Sequence, residues 1–314
     1  MDSARMIPRL PSRTAALSLL PLAVLGASVS ACKRREPIQA SPIGAATGGS
    51  STAAAPPSPS SSAAPPRRGK KGGTDVTFCV VSDTHFGFGD IAQENETLVR
   101  KLDALTPAPR GLVVTGDLTE WGKTEEWEPF VATYGLAGTE GKLRFPVFEM
   151  IGNHDKVHGP WVEQQVSKRH GGRFYAWDWD DVHLVALGEA PDDEGLAFLK
   201  RDLEAIEPRV PLFLFFHLAL EGPWSTGHWF GDGDYKGRLA KILEGRFVAA
   251  IFHGHHHATG HYVWNGIDVF KPGAVKGGAH TFALVHVTDD RFTVESRDWD
   301  HDRAAAPFTK SISR

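Results

Sequence analysis

The sequence has few cysteines and no long uninterrupted apolar segment. Two cysteines in 314 residues cannot form a disulfide framework, and neither belongs to a C-x-x-C pair of the kind found in zinc ribbons and redox sites. Histidine is absent before residue 75, although the chain contains 15 histidines. With 41% hydrophobic and 10% aromatic residues, the composition excludes a collagen-like, polytopic membrane or wholly disordered chain.

The first 31 residues have the pattern of a secretory signal peptide. Three arginines precede an uncharged apolar stretch at positions 15–29. This stretch has about 15 residues where a membrane-spanning helix needs about 20, and Pro21 interrupts it. A permanent transmembrane helix is therefore the weaker interpretation.

The end of this segment, Val29-Ser30-Ala31-Cys32, resembles a bacterial lipobox. We therefore expect lipid attachment at Cys32, with the exported protein anchored to a bacterial membrane on its periplasmic or cell-surface side. The alternative is a plain signal peptide with an incidental cysteine.

Residues 32–74 are predicted to be a disordered tether. Of the 39 residues at 36–74, 31 are Ala, Pro, Ser, Gly or Thr, and none is aromatic. Such a segment cannot bury enough apolar surface to offset the entropy lost on ordering. The tether is basic, whereas the chain from residue 75 onward contains 24 Lys and Arg against 36 Asp and Glu. A basic tether suits an anionic membrane surface, and an acidic domain disfavours a polyanionic partner.

From residue 75 onward, short apolar runs alternate with amphipathic stretches. The pattern predicts strands at 76–82, 111–115, 146–151, 182–187, 211–216 and 247–252, helices at 94–105, 125–134 and 195–206, and late strands at 261–264, 267–270, 281–288 and 292–296. Alternating strands and helices followed by hairpins predict an α/β or α+β layered sandwich at residues 75–302. Residues 303–314 are assigned to a C-terminal tail.

Polar clusters follow five of the predicted strands at the point where each strand ends. They are Asp83-Thr84-His85, Gly116-Asp117, Gly152-Asn153-His154-Asp155, His217 and Gly254-His255-His256-His257. Ligands converge at the carboxyl ends of strands in open α/β sheets, so we expect these side chains to face one rim. Carboxylates, imidazoles and a carboxamide, without a thiolate, are typical ligands of Mn, Fe or Zn.

In this order, the five clusters resemble the D-x-H, G-D, G-N-H-[DE], H and G-H-x-H motifs of the calcineurin-like metallophosphoesterase family, and they span nearly the whole folded region. The resemblance implies a four-layer αββα sandwich with two metal ions at the edge of its central sheets. It also implies the ligands, namely Asp83, His85 and His257 for the first metal, Asn153, His217 and His255 for the second, and Asp117 bridging both.

The same resemblance implies hydrolysis of a phosphomonoester or phosphodiester. Two close cations lower the pKa of a shared water, so that a bridging hydroxide can attack phosphorus at neutral pH. His154 resembles the family's catalytic histidine, which stabilises the transition state or protonates the leaving group. Asp155 is expected to orient the His154 imidazole.

Two departures from related subfamilies narrow this expectation. Glu120 stands where purple acid phosphatases carry a tyrosine ligand, and the first motif is D-x-H rather than their D-x-G. The segment 116–122 also lacks the arginine that Ser/Thr protein phosphatases carry beside the G-D motif. Both subfamilies are therefore disfavoured.

Other residues near the motifs receive more ordinary interpretations. His256 is expected to point away from the cluster if its stretch is extended. His253 is either a support for the ligands or part of strand-end packing, and His183 and Cys79 are expected in the core.

A glycine-rich loop at 221–235 carries Trp224, His228 and Trp229 shortly after His217. These residues are either the hydrophobic anchor of a surface loop or, as we favour, one wall of the substrate pocket.

The leading hypothesis is an exported, lipid-anchored, metal-dependent phosphoesterase. A catalytically inactive surface-binding lipoprotein on the same fold is one alternative, but it would have no reason to keep seven metal-binding side chains. A nuclease of the same superfamily is another, which the acidic domain and the export signal disfavour. Cyclic nucleotides, glycerophosphodiesters and phospholipid headgroups are all compatible substrates, because a fold does not specify its substrate.

Overall fold

The computed structural model describes residues 73–139, 142–222 and 233–312. Its strands are β1 (Asp75–Val81), β2 (Leu112–Thr115), β3 (Val147–Met150), β4 (Tyr175–Trp179), β5 (Val182–Ala186), β6 (Leu212–Phe216), β7 (Val248–His253), β8 (Thr259–Trp264), β9 (Ile267–Pro272), β10 (Thr281–Thr288), β11 (Arg291–Asp298), β12 (Arg303–Ala304) and β13 (Phe308–Ser311). Its helices are α1 (Ile91–Asp103), α2 (Thr124–Tyr134), α3 (Trp161–His170), α4 (Asp193–Glu204) and α5 (Gly233–Leu243).

The strands form two mixed sheets. The first has the order β12-β11-β10-β1-β2-β3, with β13 also paired to β11, and the second has the order β4-β5-β6-β7-β9-β8. Strands β1, β2 and β3 are parallel to one another, and so are β5, β6, β7 and β9. The carboxyl ends of these parallel strands therefore lie along one edge of each sheet.

The two sheets pack face to face through the alternating side chains of their strands. Phe78 of β1 contacts Phe213 and Phe215 of β6, with ring centroids 5.5 and 6.2 Å apart. The opposite face of β1 presents Cys79 and Val81 to a second core under α1, α2 and α3. This alternation follows from the two-residue period of a strand.

Helices cover the outer face of each sheet. Leu98 of α1 and Phe130 of α2 are fully buried against the first sheet, and Leu199 of α4 and Leu239 of α5 are fully buried against the second. Burying each of these side chains contributes about 1.5–3 kcal/mol. The layers follow the order helices, sheet, sheet, helices, which confirms the predicted αββα sandwich.

The domain extends further along the chain than the sequence predicts. The sequence assigns 303–314 to a tail, whereas β12 and β13 pair antiparallel with β11. Phe308 packs against the core between the sheets, and Ile312 is buried. These residues join the domain because β11 offers an unpaired edge to two short strands.

Some predictions concern residues that lie outside the described ranges. They are the signal peptide, the tether as far as residue 72, the lipid-attachment residue Cys32, and the loop residues Trp224, His228 and Trp229. Within the described ranges, no helix has both the length and the apolar character needed to cross a membrane.

Candidate metal centre

The predicted metal ligands lie on loops that directly follow parallel strands. Asp83 and His85 follow β1, Asp117 follows β2, Asn153 follows β3, His217 follows β6, and His255 and His257 follow β7. The first three loops belong to one sheet and the last two to the other. The structure therefore collects side chains from both sheets at one edge of the sandwich.

The first cluster contains Asp83, His85, Asp117 and His257, each contributing one atom that lies within 4.8 Å of the others. Nε2 of His257 is 3.2 Å from Oδ1 of Asp83, and Nε2 of His85 is 3.5 Å from Oδ2 of Asp117. Two ligands that are each about 2.0–2.2 Å from one ion are about 3.0–3.5 Å apart. These separations suit a common metal ion.

The second cluster shares Asp117 with the first and adds His217 and His255. Nε2 of His217 is 3.2 Å from Oδ2 of Asp117 and 3.1 Å from Oδ1 of Asn153. The rings of His217 and His255 have centroids 5.2 Å apart. Asn153, the one carboxamide in the predicted set, therefore presents its oxygen to the same cluster.

Hydrogen bonds outside the clusters show where the ring protons lie. Nδ1 of His85 faces a carboxylate oxygen of Glu120 at 2.7 Å, and Nδ1 of His217 faces the carbonyl oxygen of Thr115 at 2.9 Å. Because these oxygens only accept, the ring nitrogen facing each of them carries the proton.

It follows that Nε2 of His85 and Nε2 of His217 point lone pairs at Oδ2 of Asp117, from 3.5 and 3.2 Å. Nε2 of His85 also lies 3.3 Å from Nε2 of His257. A cation between the lone pairs and the carboxylate removes this conflict, as does protonation of a ring. The chemistry of the donor set therefore fits divalent metal ions.

The charge state of the buried groups agrees with this fit. Burial alone would raise the pKa of Asp83, but the neighbouring rings of His257, at 3.2 Å, and His85 hold it well below its usual range. Burial lowers the pKa of His217, but the charge of Asp117 outweighs it and raises this pKa to about 10. The carboxylates thus favour positive charge here, and a metal ion supplies such charge in place of imidazole protons.

The backbone of the ligand loops adopts conformations that residues other than glycine rarely take. Among the described residues, eight that are not glycine have a positive φ, and five of these are predicted ligands. The five are Asp83 (φ 56°), His85 (45°), Asp117 (51°), His255 (68°) and His257 (47°). Each such residue costs of order 1–3 kcal/mol, and such strain clusters at functional sites.

A glycine of the motifs also permits close packing of the ligand loops. At Gly116 φ is +95°, and a Cβ there would lie 2.7 Å from Nδ1 of His217. The G-D motif therefore requires glycine both for its backbone conformation and for the approach of His217.

His154 lies beside the first cluster and is partly exposed. Its ring centroid is 4.7 Å from that of His85, and its backbone N–H donates to Oδ1 of Asp117 at 2.9 Å. Its Nδ1 donates to the carbonyl oxygen of Glu120 at 2.8 Å, and its side chain is 30% exposed. Nε2 is therefore the ring atom that can contact a substrate.

Asp155 does not have the contact with His154 that the sequence suggests. Its carboxylate accepts hydrogen bonds from the backbone N–H groups of Gly152, Leu118 and Thr119 and from the Thr119 hydroxyl, at 2.7 to 3.1 Å. Burial, followed by the charge of Asp117, raises its pKa to about 6. Asp155 therefore ties the G-D and G-N-H loops together, and the carbonyl of Glu120 orients the His154 ring instead.

The sequence gives no role to Glu120 or Lys276 in positioning the ligands. Glu120 is buried and hydrogen-bonded to His85, and Nζ of Lys276 lies 2.9 and 2.8 Å from its two carboxylate oxygens. The acidic side chain three residues after Asp117 is a signal that could have indicated Glu120. Lys276 belongs to no motif.

His256, His253 and His183 lie outside both clusters. The rings of His256 and His253 pack edge to face, with centroids 5.4 Å apart. The stretch is not extended as the sequence analysis assumes, because His255 and His257 have positive φ angles. His253 bonds to the carbonyl of Gly254 and to the Tyr262 hydroxyl, both at 2.9 Å. Burial lowers its pKa to about 3, so it is a neutral packing residue.

His183 lies in the core, as the sequence suggests, and is 2% exposed. Its two ring nitrogens are each 2.7 Å from a carboxylate, one of Asp178 and one of Asp202. This buried arrangement fastens α4 to the second sheet.

The loops around the metal clusters also carry exposed hydrophobic side chains. Among the described residues, the large hydrophobic side chains with substantial exposure are Phe88 (48%), Trp121 (43%), Val157 (51%) and Val263 (56%). The first three lie on the loops that follow β1, β2 and β3, within four residues of His85, Asp117 and Asn153 respectively. Exposed hydrophobic side chains therefore lie on the same three loops as predicted metal ligands.

Comparison with known proteins gives one matching family model and two individual relatives. A family model described as calcineurin-like phosphoesterase matches residues 76–259, which is more than half of the chain. A probable cyclic nucleotide phosphodiesterase of Rhodopseudomonas palustris is 29% identical over 270 residues, covering 72% of this chain and 93% of that protein. A glycerophosphodiester phosphodiesterase of Enterobacter lignolyticus is 37% identical over 83 residues, covering 24% of this chain and 28% of that protein.

Solved structures share the fold at low sequence identity. A purple acid phosphatase from yellow lupin aligns with a TM-score of 0.59 and 14% identity, covering 77% of this chain and 54% of that one. A dimetal phosphatase from Danio rerio aligns with a TM-score of 0.51 and 12% identity, covering 76% and 99%. At these identities the likeness concerns the fold alone.

Proposed function

Because the chain belongs to the calcineurin-like phosphoesterase family, and is thus a metal-dependent phosphoester hydrolase, we propose that it is a phosphodiesterase with a two-metal centre. One observation carries the proposal: the Asp117 carboxylate is shared by two separate histidine clusters. A single carboxylate in this position suits a bridge between two cations. The proposed ligands are Asp83, His85, Asp117 and His257 for one ion, and Asp117, Asn153, His217 and His255 for the other.

Two divalent ions bound there would provide a hydroxide at neutral pH and neutralise charge on the phosphoryl oxygens. The protein's own contribution is to hold seven ligands in fixed positions, three of them with side chains that are fully buried. His85 and His217 are fixed by hydrogen bonds on their far nitrogens, which leaves Nε2 of each ring aimed at the site. Such preorganisation avoids reorganisation during the reaction.

His154 is the proposed proton donor to the leaving group. Its Nδ1 is committed to the carbonyl of Glu120, so Nε2 is the atom that would hold or transfer a proton. Its backbone is fixed by Asp117, which places the ring beside the clusters rather than within them. A positioned imidazole contributes roughly 10²–10⁴-fold to such a transfer.

A small phosphodiester is the proposed substrate. Support comes from the two relatives, both phosphodiesterases by name, and from the exposed side chains of Phe88 and Trp121 beside the site. Aromatic side chains at a rim suit an ester group with an apolar face, such as a nucleobase. Cyclic nucleotides are therefore proposed ahead of glycerophosphodiesters and phospholipid headgroups.

Mn, Fe or Zn are the proposed metals. Carboxylate, imidazole and carboxamide donors suit hard to borderline ions. Cys79 is buried under the helices of the first sheet, so it supplies no thiolate to the centre.

The proposal also includes export and lipid anchoring through Cys32. Its support is the lipobox-like sequence at 29–32 and the basic segment that follows. Radiolabelled palmitate should enter the wild-type protein but not a Cys32→Ser variant. Labelling that persists in the variant would refute this part of the proposal.

The activity is tested with bis(p-nitrophenyl) phosphate and Mn²⁺, followed by a panel of cyclic nucleotides, glycerophosphodiesters and phosphomonoesters. We expect hydrolysis of the diester, its loss in His217→Ala, and retention in the matched control His286→Ala, in which an exposed histidine paired with Asp75 is removed. Unchanged activity in His217→Ala, or a preference for monoesters, would count against the proposal.

A further inference from the structure

We propose that Glu120 and Lys276 form a positioning pair that holds the ligands of the first cluster and sets the metal affinity of that cluster. The inference rests on the proposed metal centre and adds two residues to it. Neither residue is a proposed ligand. Their side chains act through the ligand His85, and the backbone of Lys276 also contacts the ligand Asp83.

Glu120 fixes the orientation and the proton of His85. Its Oε2 lies 2.7 Å from Nδ1 of His85, and the residue is 5% exposed. Because a carboxylate only accepts, the proton stays on Nδ1 and Nε2 presents its lone pair to the cluster. A carboxylate behind a metal-binding histidine fixes its ring and raises its basicity.

Lys276 connects to two ligands of the first cluster, His85 and Asp83. Its Nζ is 2.9 and 2.8 Å from the two carboxylate oxygens of Glu120, and so reaches His85 through that side chain. Its backbone N–H donates to the carbonyl oxygen of Asp83 at 3.0 Å. Lys276 thereby ties the loop after β9 to the loops that follow β1 and β2.

The ammonium group also determines that Glu120 supports the centre rather than joining it. Glu120, His85 and His154 lie close enough to resemble a third metal cluster. However, Nζ of Lys276 already contacts both carboxylate oxygens, and Nδ1 of His154 is committed to the carbonyl of Glu120. Lys276 thus balances a third buried carboxylate beside Asp83 and Asp117, and keeps it directed at His85.

The contact with Phe88 places this pair at the rim of the site. Nζ of Lys276 is 4.2 Å from the centroid of the Phe88 ring, a cation–π arrangement. The lysine side chain is 18% exposed, so much of it is shielded from water. Shielding strengthens the interaction between the ammonium and the carboxylate.

The test is calorimetric titration of the full-length apo protein with Mn²⁺, together with the visible absorption spectrum of the Co²⁺ form. The variants are Glu120→Ala, Lys276→Met and Lys276→Arg. We expect Glu120→Ala and Lys276→Met to weaken one of two binding steps by roughly 10–100-fold and to alter the Co²⁺ spectrum. The other step should stay unchanged, and Lys276→Arg should restore most of the affinity.

Two comparisons keep the test specific. The exposed pair Lys142 and Glu96, with nitrogen and oxygen 2.8 Å apart, provides the control variant Lys142→Met, which should bind both ions as the wild type does. The double variant of Glu120→Ala and Lys276→Met should lose no more affinity than the worse single variant, because both act through His85. Thermal melting of each apo variant checks folding, and if Glu120→Ala does not fold, the two Lys276 variants decide the result.

The outcomes separate this inference from the proposed function. If the wild type binds two ions and Glu120→Ala and Lys276→Met bind them equally well, the pair has no positioning role although the two-metal centre stands. Equal weakening of both steps, or a Lys276→Arg variant as defective as Lys276→Met, also overturns the inference. If the wild type binds no metal, the proposed function itself fails.

Discussion

Oδ2 of Asp117 lies 3.2 Å from Nε2 of His217, although Asp117 follows a strand of the first sheet and His217 follows a strand of the second. This contact joins the two halves of the sandwich at the candidate metal centre. The side chains of Asp117 and His217 are 2% and 0% exposed, respectively, so their charges are poorly screened by water. Formation of the site therefore depends on correct packing of the two sheets.

The Asp117 carboxylate is expected to be essential for hydrolysis. Asp117→Asn keeps the size of the side chain but removes the charge shared by the two clusters, which we expect to lower kcat/KM by at least about 100-fold. Steady-state hydrolysis of an aryl phosphodiester with Mn²⁺ measures this. Asp75→Asn is the matched control, since Asp75 is exposed and forms an ion pair with the exposed His286. Comparable rates in the two variants would contradict the role of Asp117.

His154 is expected to affect chemistry more than metal binding. His154→Asn should lower kcat by roughly 10²–10⁴-fold while leaving Mn²⁺ stoichiometry unchanged, because Nε2 of His154 faces away from Glu120 and is not a proposed ligand. The loss should be greatest for substrates with poor leaving groups. A series of aryl esters with different leaving-group pKa values measures the dependence, and an equal loss across the series would remove the proton-donor role.

Stability should depend on pH through His183, which lies far from the motifs in sequence. Burial lowers its pKa, but the hydrogen bonds that the His183 ring donates to Asp178 and Asp202 outweigh burial and raise it to about 9. The pKa of His183 is higher in the folded protein than in the unfolded chain, where it is roughly 6.5. The stabilisation from charged His183 is therefore complete below about pH 6.5 and is lost as the pH rises through about 9.

Urea unfolding should therefore show the largest difference in stability between the wild type and His183→Asn at low pH. We expect the difference in unfolding free energy to be on the order of 1–3 kcal/mol larger at about pH 6.5 than at about pH 9.5. His286→Asn, which changes an exposed histidine, is the control. A difference that does not vary with pH would show that His183 is neutral in the folded protein.

Gly116 is expected to tolerate no side chain. Gly116→Ala places a Cβ 2.7 Å from Nδ1 of His217 at a backbone φ of +95°. We expect loss of activity and destabilisation of roughly 1–3 kcal/mol, measured by hydrolysis and by thermal melting. Gly237→Ala lies in α5 with open space around its Cβ and should be neutral or stabilising. Full activity in Gly116→Ala would mean that the G-D loop is more adaptable than the structure indicates.

The parts of the fold that the sequence predicts well are those with clear apolar periodicity. Strands β1, β5 and β6 consist largely of buried residues between turn signals, and the predicted bounds agree within one residue. Helix α3 was not predicted because it buries only Val162 and Val166, which leaves little periodic signal. The sequence does not predict strand β4 because buried and exposed side chains do not alternate regularly along it.

The sequence likewise predicts some parts of the candidate site and not others. The ligand motifs are local in sequence, so the polar clusters could be found at the ends of predicted strands, and the resemblance to the family implied the role of each residue. The partner of His154 could not be, because Asp155 is adjacent in sequence but turns its carboxylate towards Gly152 and Thr119. Glu120 and Lys276 are separated by 156 residues, and only the fold places them together.

The most direct measurement of the central claim is the rate of diester hydrolysis as Mn²⁺ is added stepwise to the apo protein. If Asp117 joins two ions into one centre, the rate should stay low through the first equivalent, rise with the second and remain absent after exhaustive chelation. Full activity after one equivalent, or activity that survives chelation, would contradict the account.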